Sequence, residues 1–349
     1  MCETNQETIP IKDAIGTILG HDITEVNTST GFKGCRFRRG HVIREEDVPR
    51  FLELGKENIY VLRIEDDQMH EDDAAHVLAG AIAGANTHFV PEPREGKLTI
   101  NASIAGLLKV NVEALECFNS VCAVMCATRH TNTVVQAGDA LAGTRAIPLV
   151  VDREPVQEAA AIAREAGAIV SVTPFRQASV ALVITGNEVY TGRIEDAFEP
   201  VIREKVSTMG SSVDLVIKSP DNEQAIVAAV RRARREGSDM IIMTGGMSVD
   251  PDDITPLAAR AAGARIEAYG SAVLPGAMFM VGYFDDGVPV LGVPACGIHH
   301  PRTIFDLILP RVLTGETITN KDIARLGHGG MCLDCPECRY PVCPFGKGN

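Results

Sequence analysis

Residues 243–256, MTGGMSVDPDDITP, join two glycines to hydroxyl and carboxyl side chains directly after an apolar run. Glycine lets the backbone approach a ligand closely, hydroxyls bind phosphate oxygens, and carboxylates hold a divalent cation against them. The same residue types are also the usual turn and helix-capping residues, so ordinary turn chemistry is the alternative for this loop alone. The stretch therefore predicts either a phosphate-binding loop or a capped turn.

A second loop of the same kind is ITGNEVYTGRIEDAF, residues 184–198, which repeats the Thr-Gly pair and adds acidic side chains. In an open α/β sheet, ligands bind outside the carboxyl ends of the strands, where loops lead into helix N-termini. Because both loops follow apolar runs, we expect them to face one cleft. Two such loops at one sheet edge favour a binding site over unrelated turns.

The last eighteen residues contain four cysteines, in CLDCPECRYPVC. Close-set cysteines in a reducing compartment are more often metal ligands than disulfides, so Cys332, Cys335, Cys338 and Cys343 are the predicted metal-binding residues. Four thiolates suit a [4Fe–4S] cluster or a structural Zn²⁺ ion, and the final Cys-Pro is similar to a bacterial ferredoxin-type run. A reactive but unmetallated tail is the third alternative.

The elements that must position the two loops are predicted by a regular alternation that begins after residue 176. In chain order they are strand SVALVITG, helix FEPVIREKVSTMG, strand VDLVIKS, helix NEQAIVAAVRRARREG and strand DMIIMTGG. Apolar β-branched runs between amphipathic helices predict a parallel sheet covered on both faces. No GxGxxG follows the first strand, which argues against a plain dinucleotide-binding domain.

Four regions are predicted along the chain. They are an N-terminal α/β segment at 1–65, a middle α+β region at 66–175, the α/β domain at 176–320 and the cysteine-rich tail at 321–349. The first region ends in a predicted helix, EEDVPRFLELG, and a strand, NIYVLRI, before an acidic stretch. In the second region, an Ala-rich pattern predicts a helix over residues 74–90.

The charge balance limits the classes of partner. With 46 acidic against 33 basic side chains the net charge is -13, which argues against a nucleic-acid surface, since such surfaces neutralise phosphates with Lys and Arg. The N-terminus has neither a basic nor an apolar leader segment, and apolar runs such as VALVI are too short to cross a bilayer. We therefore expect a cytoplasmic protein with no nucleic-acid or membrane partner.

Several motifs over about residues 178–315 resemble the molybdopterin-binding family of molybdenum-cofactor biosynthesis. GGMSVDPDDITPLA resembles the loop of its molybdopterin adenylyltransferase (MogA/MoaB-like) branch. ITGNEV, GRIEDAF and the region from LPGAMFM to the last long helix are similar to its molybdenumtransferase branch, which includes MoeA and the gephyrin E-domain. IPIKDAIGTILGHDI resembles the N-terminal part of that second branch. The resemblance implies a parallel-sheet, three-layer α/β molybdopterin-binding domain, preceded by smaller α+β or β-rich regions.

The resemblance also implies which residues form the site. Contacts to the pterin and its phosphate would come from Thr185, Gly186, Asn187, Glu188, Asp196, Gly245, Gly246, Met247, Ser248, Pro275, Gly276, Pro294, Cys296, Gly297 and Arg302. Asp253, with Asp250 as a second carboxylate, is the predicted catalytic residue and Mg²⁺ ligand. Asn187 stands where the second branch has Asp, and Cys296 where it has Asn. Cys296 is either a soft ligand near the metal or a buried thiol.

Two functions follow as expectations. The first is a transferase that binds molybdopterin with Mg²⁺, uses ATP, and catalyses adenylyl transfer or molybdate insertion. The second is a carrier or redox-responsive sensor that binds molybdopterin or the finished molybdenum cofactor without turnover and holds an iron–sulfur cluster in its tail. Asp253 favours the enzyme, whereas Asn187 and the lack of a SAMDGYA-type signature favour the carrier. Either function implies molybdoenzymes or other cofactor-biosynthesis proteins as partners, and the family resemblance implies a homo-oligomer.

Overall fold

A computed structural model describes residues 7–27, 31–61, 64–248, 250 and 253–348. Val249, Pro251 and Asp252 of the glycine-rich loop lie outside these residues, as do positions 1–6, 28–30 and 62–63 of the predicted N-terminal segment and Asn349. The chain divides into two compact units. Unit 1 comprises Met1–Ile104, Lys109–Arg129 and Gln136–Val172, and unit 2 comprises Ala105–Leu108, His130–Val135 and Thr173–Asn349. The predicted boundaries at residues 65 and 320 fall inside these units and remain predictions.

Unit 1 is built mainly from short antiparallel strands. The strands up to residue 173 are β1 (Glu7–Pro10), β2 (Ile23–Asn27), β3 (Phe32–Phe37), β4 (Asn58–Val61), β5 (Gln68–His70), β6 (Thr87–Phe89), β7 (Lys97–Ala102), β8 (Gly106–Val110), β9 (Val124–Thr128), β10 (Val134–Val135), β11 (Ala140–Ala146), β12 (Val150–Asp152) and β13 (Val170–Thr173). The α-helices over the same residues are α1 (Val48–Glu53), α2 (Glu71–Ile82), α3 (Val112–Ser120) and α4 (Arg153–Glu165). A sheet in the order β6-β7-β11-β9 and the antiparallel pairs β1–β4, β2–β3 and β5–β12 organise this unit.

The helix predicted over residues 74–90 is shorter than expected, since α2 ends at Ile82. The backbone N–H of Gly84 donates to the Val170 carbonyl at 2.8 Å, and a Cβ on Gly84 would lie 2.8 Å from that same oxygen. The prediction was therefore wrong for residues 83–90, because the backbone at Gly84 forms its hydrogen bond with β13, a strand distant in sequence, and so does not continue the helix.

Unit 2 is organised around one six-stranded sheet. Its strands are β14 (Ser179–Thr185), β15 (Ser212–Ser219), β16 (Met240–Thr244), β17 (Arg265–Tyr269), β18 (Met280–Tyr283) and β19 (Pro289–Val293). Its helices are α5 (Asn187–Tyr190), α6 (Phe198–Ser207), α7 (Glu223–Arg235), α8 (Thr255–Ala261), α9 (Cys296–His299), α10 (Ile304–Leu313) and α11 (Asn320–Arg325). The strand order is β15-β14-β16-β19-β18-β17, and only β18 runs antiparallel to its neighbours. The predicted α/β class with a mostly parallel sheet is confirmed.

This sheet is buried on both faces. In β14, Val180, Leu182 and Ile184 belong to one hydrophobic core together with residues of α6 and α10, whereas Ala181 and Val183 belong to a second core with residues of α7 and α8. Successive side chains of a strand point to opposite faces, so a strand covered on both sides must be apolar throughout. The helices above and below the sheet complete the predicted three layers. Across the described part of the chain, no helix is long and apolar enough to cross a membrane.

A buried carboxylate ties α6 to α10 in unit 2. Asp306 is 7% exposed, and its Oδ1 accepts hydrogen bonds from Lys205 at 2.6 Å and from Arg302 at 2.9 Å. Its Oδ2 accepts the backbone N–H of Thr303 at 2.8 Å, which completes a capping box at the start of α10. One side chain thus compensates two cations and fixes a helix N-terminus.

Replacing Asp306 with Asn is expected to lower the free energy of unfolding by about 3–5 kcal/mol, because two cations in a buried setting lose their counter-charge. Urea unfolding followed by circular dichroism measures the loss. The matched control is Glu199→Gln, which removes the more exposed i,i+4 partner of Arg203 in α6 and should cost less than about 1 kcal/mol. Equal small losses for the two variants would contradict the role assigned to Asp306.

Candidate functional site

The strand register places several loops at one edge of the unit 2 sheet. Ile184 pairs with Thr244, and Thr244 pairs with Val293, so the parallel strands β14, β16 and β19 end side by side. Thr185 pairs with Ser219, which adds the end of β15 to the same edge. The structure therefore brings together the two loops singled out in the sequence and the turn after β19.

The turn that precedes β18 lies at this carboxyl edge as well. Met280, the first residue of β18, pairs with Tyr269 on one side and Gly292 on the other, and both lie at or near the carboxyl ends of their strands. The predicted residues Pro275 and Gly276 belong to this turn, and the Pro275 carbonyl accepts the backbone N–H of Ile304 at 3.2 Å. This bond ties the turn to the start of α10.

Gly245 and Gly246 make the closest backbone approach at the edge. Both have positive φ, +83° and +53°, which L side chains rarely adopt. A Cβ on Gly245 would lie far inside contact distance of the Thr185 carbonyl oxygen, and one on Gly246 would lie 2.6 Å from Thr255 Oγ1. Only glycines let the end of β16 pack this tightly against the end of β14.

A chain of hydroxyls holds the two glycines in place. Thr255 Oγ1 donates its proton to the Gly245 carbonyl at 2.9 Å. The hydroxyls of Thr185 and Thr255 lie 3.2 Å apart, and because the Thr255 proton is already used, Thr185 Oγ1 is the donor in this second hydrogen bond. The Thr255 N–H also donates to the Gly246 carbonyl at 3.2 Å. Thr185 is 3% exposed. Its hydroxyl, predicted to contact the ligand, is therefore used to connect two loops.

The remainder of the glycine-rich loop is held by Tyr269. The Tyr269 hydroxyl lies 3.0 Å from the carbonyl oxygens of both Met247 and Ser248. Burial and, secondarily, the Asp253 carboxylate raise the pKa of Tyr269 above its ordinary value, which places Asp253 near this hydroxyl. The Met247 side chain is 3% exposed and packs in the core, where a Cβ on Gly292 would collide with it. Only the backbone of Met247 can therefore contribute to the predicted phosphate cradle.

The two predicted catalytic residues, Asp250 and Asp253, are hydrogen-bonded to each other. The Asp250 N–H donates to Asp253 Oδ2 at 3.1 Å, and the Asp253 N–H donates to the Asp250 carbonyl at 2.9 Å. Asp253 is half-buried, whereas Asp250 is exposed. A carboxylate has about four lone-pair sites, so one backbone donor leaves Asp253 able to bind a cation.

The loop after β14 is tied to the loop after β15. The Asn187 N–H donates to Asp221 Oδ2 at 2.9 Å, and the Asp221 N–H donates to Asn187 Oδ1 at 3.2 Å. Gly186 has φ +139°. The Glu188 carboxylate packs against this glycine, because a Cβ on Gly186 would lie 2.7 Å from Glu188 Oε1. Asp196 accepts the N–H groups of Phe198 and Glu199 at the start of α6. The structure thus gives Asp196 the helix-capping role, which was the alternative to ligand binding.

The turn after β19 contributes mainly shape. The Gly297 N–H donates to the Pro294 carbonyl at 2.9 Å, and a Cβ on Gly297 would lie 2.9 Å from a Val293 methyl group. Cys296 is half-buried, and burial raises the pKa of its thiol. Partial burial of this thiol is the arrangement expected for a small core cysteine.

Arg302 and the tail cysteines lie together. Arg302 is paired with Asp306, and its guanidinium lies 5.2 Å from the ring centroid of Tyr340 in the tail. With the four predicted metal-binding cysteines it lines one cavity of about 50 Å³ in unit 2. Among the residues that the structure describes, no three His, Cys, Asp or Glu side chains lie close enough to hold a single metal ion.

Three residues that organise the edge were not predicted from the sequence: Thr255, Tyr269 and Asp221. Thr255 is part of the quoted DDITP run, and Asp221 follows the second strand of the alternation, so position after a strand could have singled out both. Tyr269 gives no local signal, because its role depends on strand β17 lying next to a loop distant in sequence. The edge carries carboxylates on three loops, so an anionic ligand there must be met by backbone N–H groups or a bridging cation.

Replacing Gly245 with Ala is expected to destabilise unit 2 through two effects. The positive φ costs about 1–2 kcal/mol for a residue with a Cβ, and the collision with the Thr185 carbonyl adds about 1–3 kcal/mol. The matched control is Gly237→Ala, where φ is +80° and nothing lies within 4 Å of an added Cβ, so only the first effect applies. Urea unfolding of both variants measures the difference, and equal losses would argue against the close approach.

Comparison with known proteins assigns this region to a family. Residues 181–314 match the family model described as "Probable molybdopterin binding domain", and residues 8–63 match a domain of unknown function, DUF8806. A protein of Pyrobaculum arsenaticum is 39% identical over 77 residues, which are 22% of this chain and 29% of that protein. A CinA-like protein of Citrifermentans bemidjiense is 35% identical over 89 residues, 25% of this chain and 21% of that protein. The matched segments thus span less than a third of these relatives.

Solved structures with a similar arrangement include two proteins of molybdopterin biosynthesis. The MoaB enzyme from Thermus thermophilus is 24% identical, with 40% of this chain and 98% of that chain covered and a TM-score of 0.35. The MoeA protein from Pyrococcus horikosii is 14% identical, with 89% of this chain and 75% of that chain covered and a TM-score of 0.32.

The family match spans the strands of the six-stranded sheet and every loop of its carboxyl edge. It therefore covers the glycine pair, Asp250 and Asp253, and the turn after β19 in one domain. Over residues 181–314, the chain carries an α/β domain that matches the molybdopterin-binding family model.

Proposed function

We propose that unit 2 binds molybdopterin at the carboxyl edge of its sheet, with the terminal phosphate against the Gly245–Gly246 turn. The observation that carries the proposal is the packing of this turn, where two positive-φ glycines approach the ends of β14 and α8 too closely for any side chain. Such a turn at the end of a parallel strand is the usual cradle for a phosphate. Its place within the matched domain supports molybdopterin as the phosphate-bearing ligand.

The carbonyl groups of the turn support this orientation. Those of Gly245 and Gly246 accept from Thr255, and those of Met247 and Ser248 share the single proton of the Tyr269 hydroxyl, which lies 3.0 Å from each. Because successive carbonyls are held by protein donors, the N–H side of the turn is the side that can face a ligand. Backbone N–H groups gathered in this way bind an anion without any Lys or Arg, which suits an acidic chain.

The Asp253 carboxylate is the proposed Mg²⁺ ligand, with Asp250 beside it. Mg²⁺ keeps several waters and is usually bound by one or two carboxylates together with substrate phosphates. The half-buried position of Asp253 next to Tyr269 would hold the ion at the edge of the turn.

In the enzymatic form of the proposal, an oxygen of the pterin phosphate attacks the α-phosphorus of ATP and pyrophosphate leaves. The Mg²⁺ ion and the backbone N–H groups would stabilise the charge that develops on the phosphate oxygens. Insertion of molybdate into the dithiolene is the alternative reaction at the same edge. In either case the protein acts as a transferase of cofactor biosynthesis.

A second candidate is a carrier that holds molybdopterin or the finished cofactor without turnover. It is favoured by Asn187, which supplies an amide where a carboxylate would bind a cation and is engaged with Asp221 across the neighbouring loop. Under this candidate, an iron–sulfur cluster on the tail would make retention of the cofactor sensitive to redox state. Both candidates place the protein in the cytoplasm, as a homo-oligomer that exchanges its ligand with molybdoenzymes or other cofactor-biosynthesis proteins.

Replacing Asp253 with Asn separates the two candidates. Anaerobically purified protein is incubated with molybdopterin, ATP and Mg²⁺, and retained pterin, adenylylated pterin and released pyrophosphate are measured. For the enzyme, Asp253→Asn should reduce turnover by about 100-fold or more, equivalent to about 2.7 kcal/mol of transition-state stabilisation. Retained pterin should change by less than about threefold, since the backbone turn remains, and chelation of Mg²⁺ should mimic the variant.

Asp286→Asn is the matched control, because Asp286 pairs with Arg234 at the surface of the same domain. It should leave both readouts unchanged. Tight retention without any adenylylated product would support the carrier or a later insertion step. A protein that retains no pterin at all would overturn the proposal.

A further inference from the structure

The tail cysteines surround a cavity in unit 2 that the pterin-binding proposal does not use. Cys332, Cys335, Cys338 and Cys343 all line it, and its volume is about 50 Å³. By this measure one water needs about 10–15 Å³, so the space holds a few atoms and is far too small for a pterin. The cavity is of the size of an inorganic group.

The segment that carries the cysteines is anchored at both ends. Before it, the Cys332 N–H donates to the Leu274 carbonyl at 2.8 Å, and the Leu274 N–H donates to the Gly330 carbonyl at 2.9 Å. After it, Phe345 is 3% exposed in the main core, and the Gly346 N–H donates to the Gly329 carbonyl at 2.9 Å. Residues 332–343 therefore form a loop whose ends are fixed to the domain, and the four cysteines of this loop line one cavity.

Positive charge is supplied to the cavity by Arg302. Arg302 lines this cavity together with the four cysteines, and its Nη1 donates to Asp306 Oδ1 at 2.9 Å. Its Nε is buried and has no hydrogen-bond partner among the described residues. The guanidinium is thus a fixed positive charge beside the four thiols.

All four cysteines line one cavity. A [4Fe–4S] cluster is held by four cysteine thiolates, so one cavity lined by four thiols supplies its complete ligand set.

We propose that Cys332, Cys335, Cys338 and Cys343 bind a [4Fe–4S] cluster, with Arg302 as the positioning residue that offsets its negative charge. On assembly each thiol loses its proton to solvent as its sulfur bonds to iron, and ferrous iron, ferric iron and sulfide are the supplied components, so that equal amounts of the two iron states enter the cluster and no further oxidant is needed. The two- and four-residue spacers keep all four ligands within one short loop, unlike the two separated pairs typical of structural zinc sites. This site lies beyond the proposed pterin-binding function and does not depend on it.

The test is reconstitution of the full chain under anaerobic conditions with ferrous and ferric iron, sulfide and a thiol, in competition with Zn²⁺. We expect about four iron and four acid-labile sulfide per chain, with broad visible absorbance that is bleached by dithionite. One zinc per chain without sulfide would overturn the cluster assignment, and so would a protein that retains no metal.

Three variants locate the site. Cys338→Ser, at an exposed position, should reduce retained iron at least fourfold, whereas Cys117→Ser, at an exposed cysteine of unit 1, should leave it unchanged. Arg302→Gln should keep the iron content but lower the reduction potential, because the added electron loses a nearby positive charge. A loss of iron from the Cys117 variant equal to that from the Cys338 variant would overturn the assignment. An unchanged potential in Arg302→Gln would overturn the role of Arg302.

Discussion

The close approach of two neighbouring strand ends is the constraint on which the unit 2 edge depends. Gly245 packs against the Thr185 carbonyl with no room for a side chain. The Thr255 hydroxyl bonds to the Gly245 carbonyl and to the Thr185 hydroxyl. This contact joins the loop after β16 to the end of β14 and the start of α8. Because the turn is held through its carbonyls, its N–H side is fixed in direction before any ligand arrives, which is what an anion site needs.

A second constraint connects the sheet to the tail. Asp306 compensates Lys205 from α6 and Arg302 from the turn before α10, and Arg302 in turn lies over Tyr340. Arg302 therefore connects a buried ion-pair network to the cysteine-lined cavity. The segment that follows the turn after β19 leads directly into this network. The proposed pterin edge and the proposed cluster site thus share a rigid support in the same unit.

Acidity and anion binding are compatible in this domain because backbone groups supply the donors. The glycine-rich loop contributes carboxylates and a turn but no Lys or Arg. An anionic phosphate at this edge would be bound by N–H dipoles and by a cation that it shares with Asp253. This division of roles explains why a chain with a net charge of -13 can carry the expected phosphate site without a basic patch.

The predictable part of the structure was the part with a strong local pattern. The alternation after residue 176 predicted β14, α6, β15, α7 and β16 because both-face burial requires uniformly apolar strands and amphipathic helices. The same kind of pattern was misleading for α2, where the Ala-rich sequence continues past Ile82 but Gly84 bonds to a distant strand. Local propensity does not include that competing partner.

The site residues divide in the same way. The sequence alone determined which loops follow the parallel strands, and hence that the glycine pair and the carboxylates lie at one edge. Only the tertiary structure decided what each side chain does there: Thr185 joins loops, Met247 fills the core, Asp196 caps a helix and Arg302 faces the cysteines. The physical reason is that the type of each element and its position along the chain follow from local periodicity, whereas the role of a polar group depends on the partners that packing brings within hydrogen-bond distance.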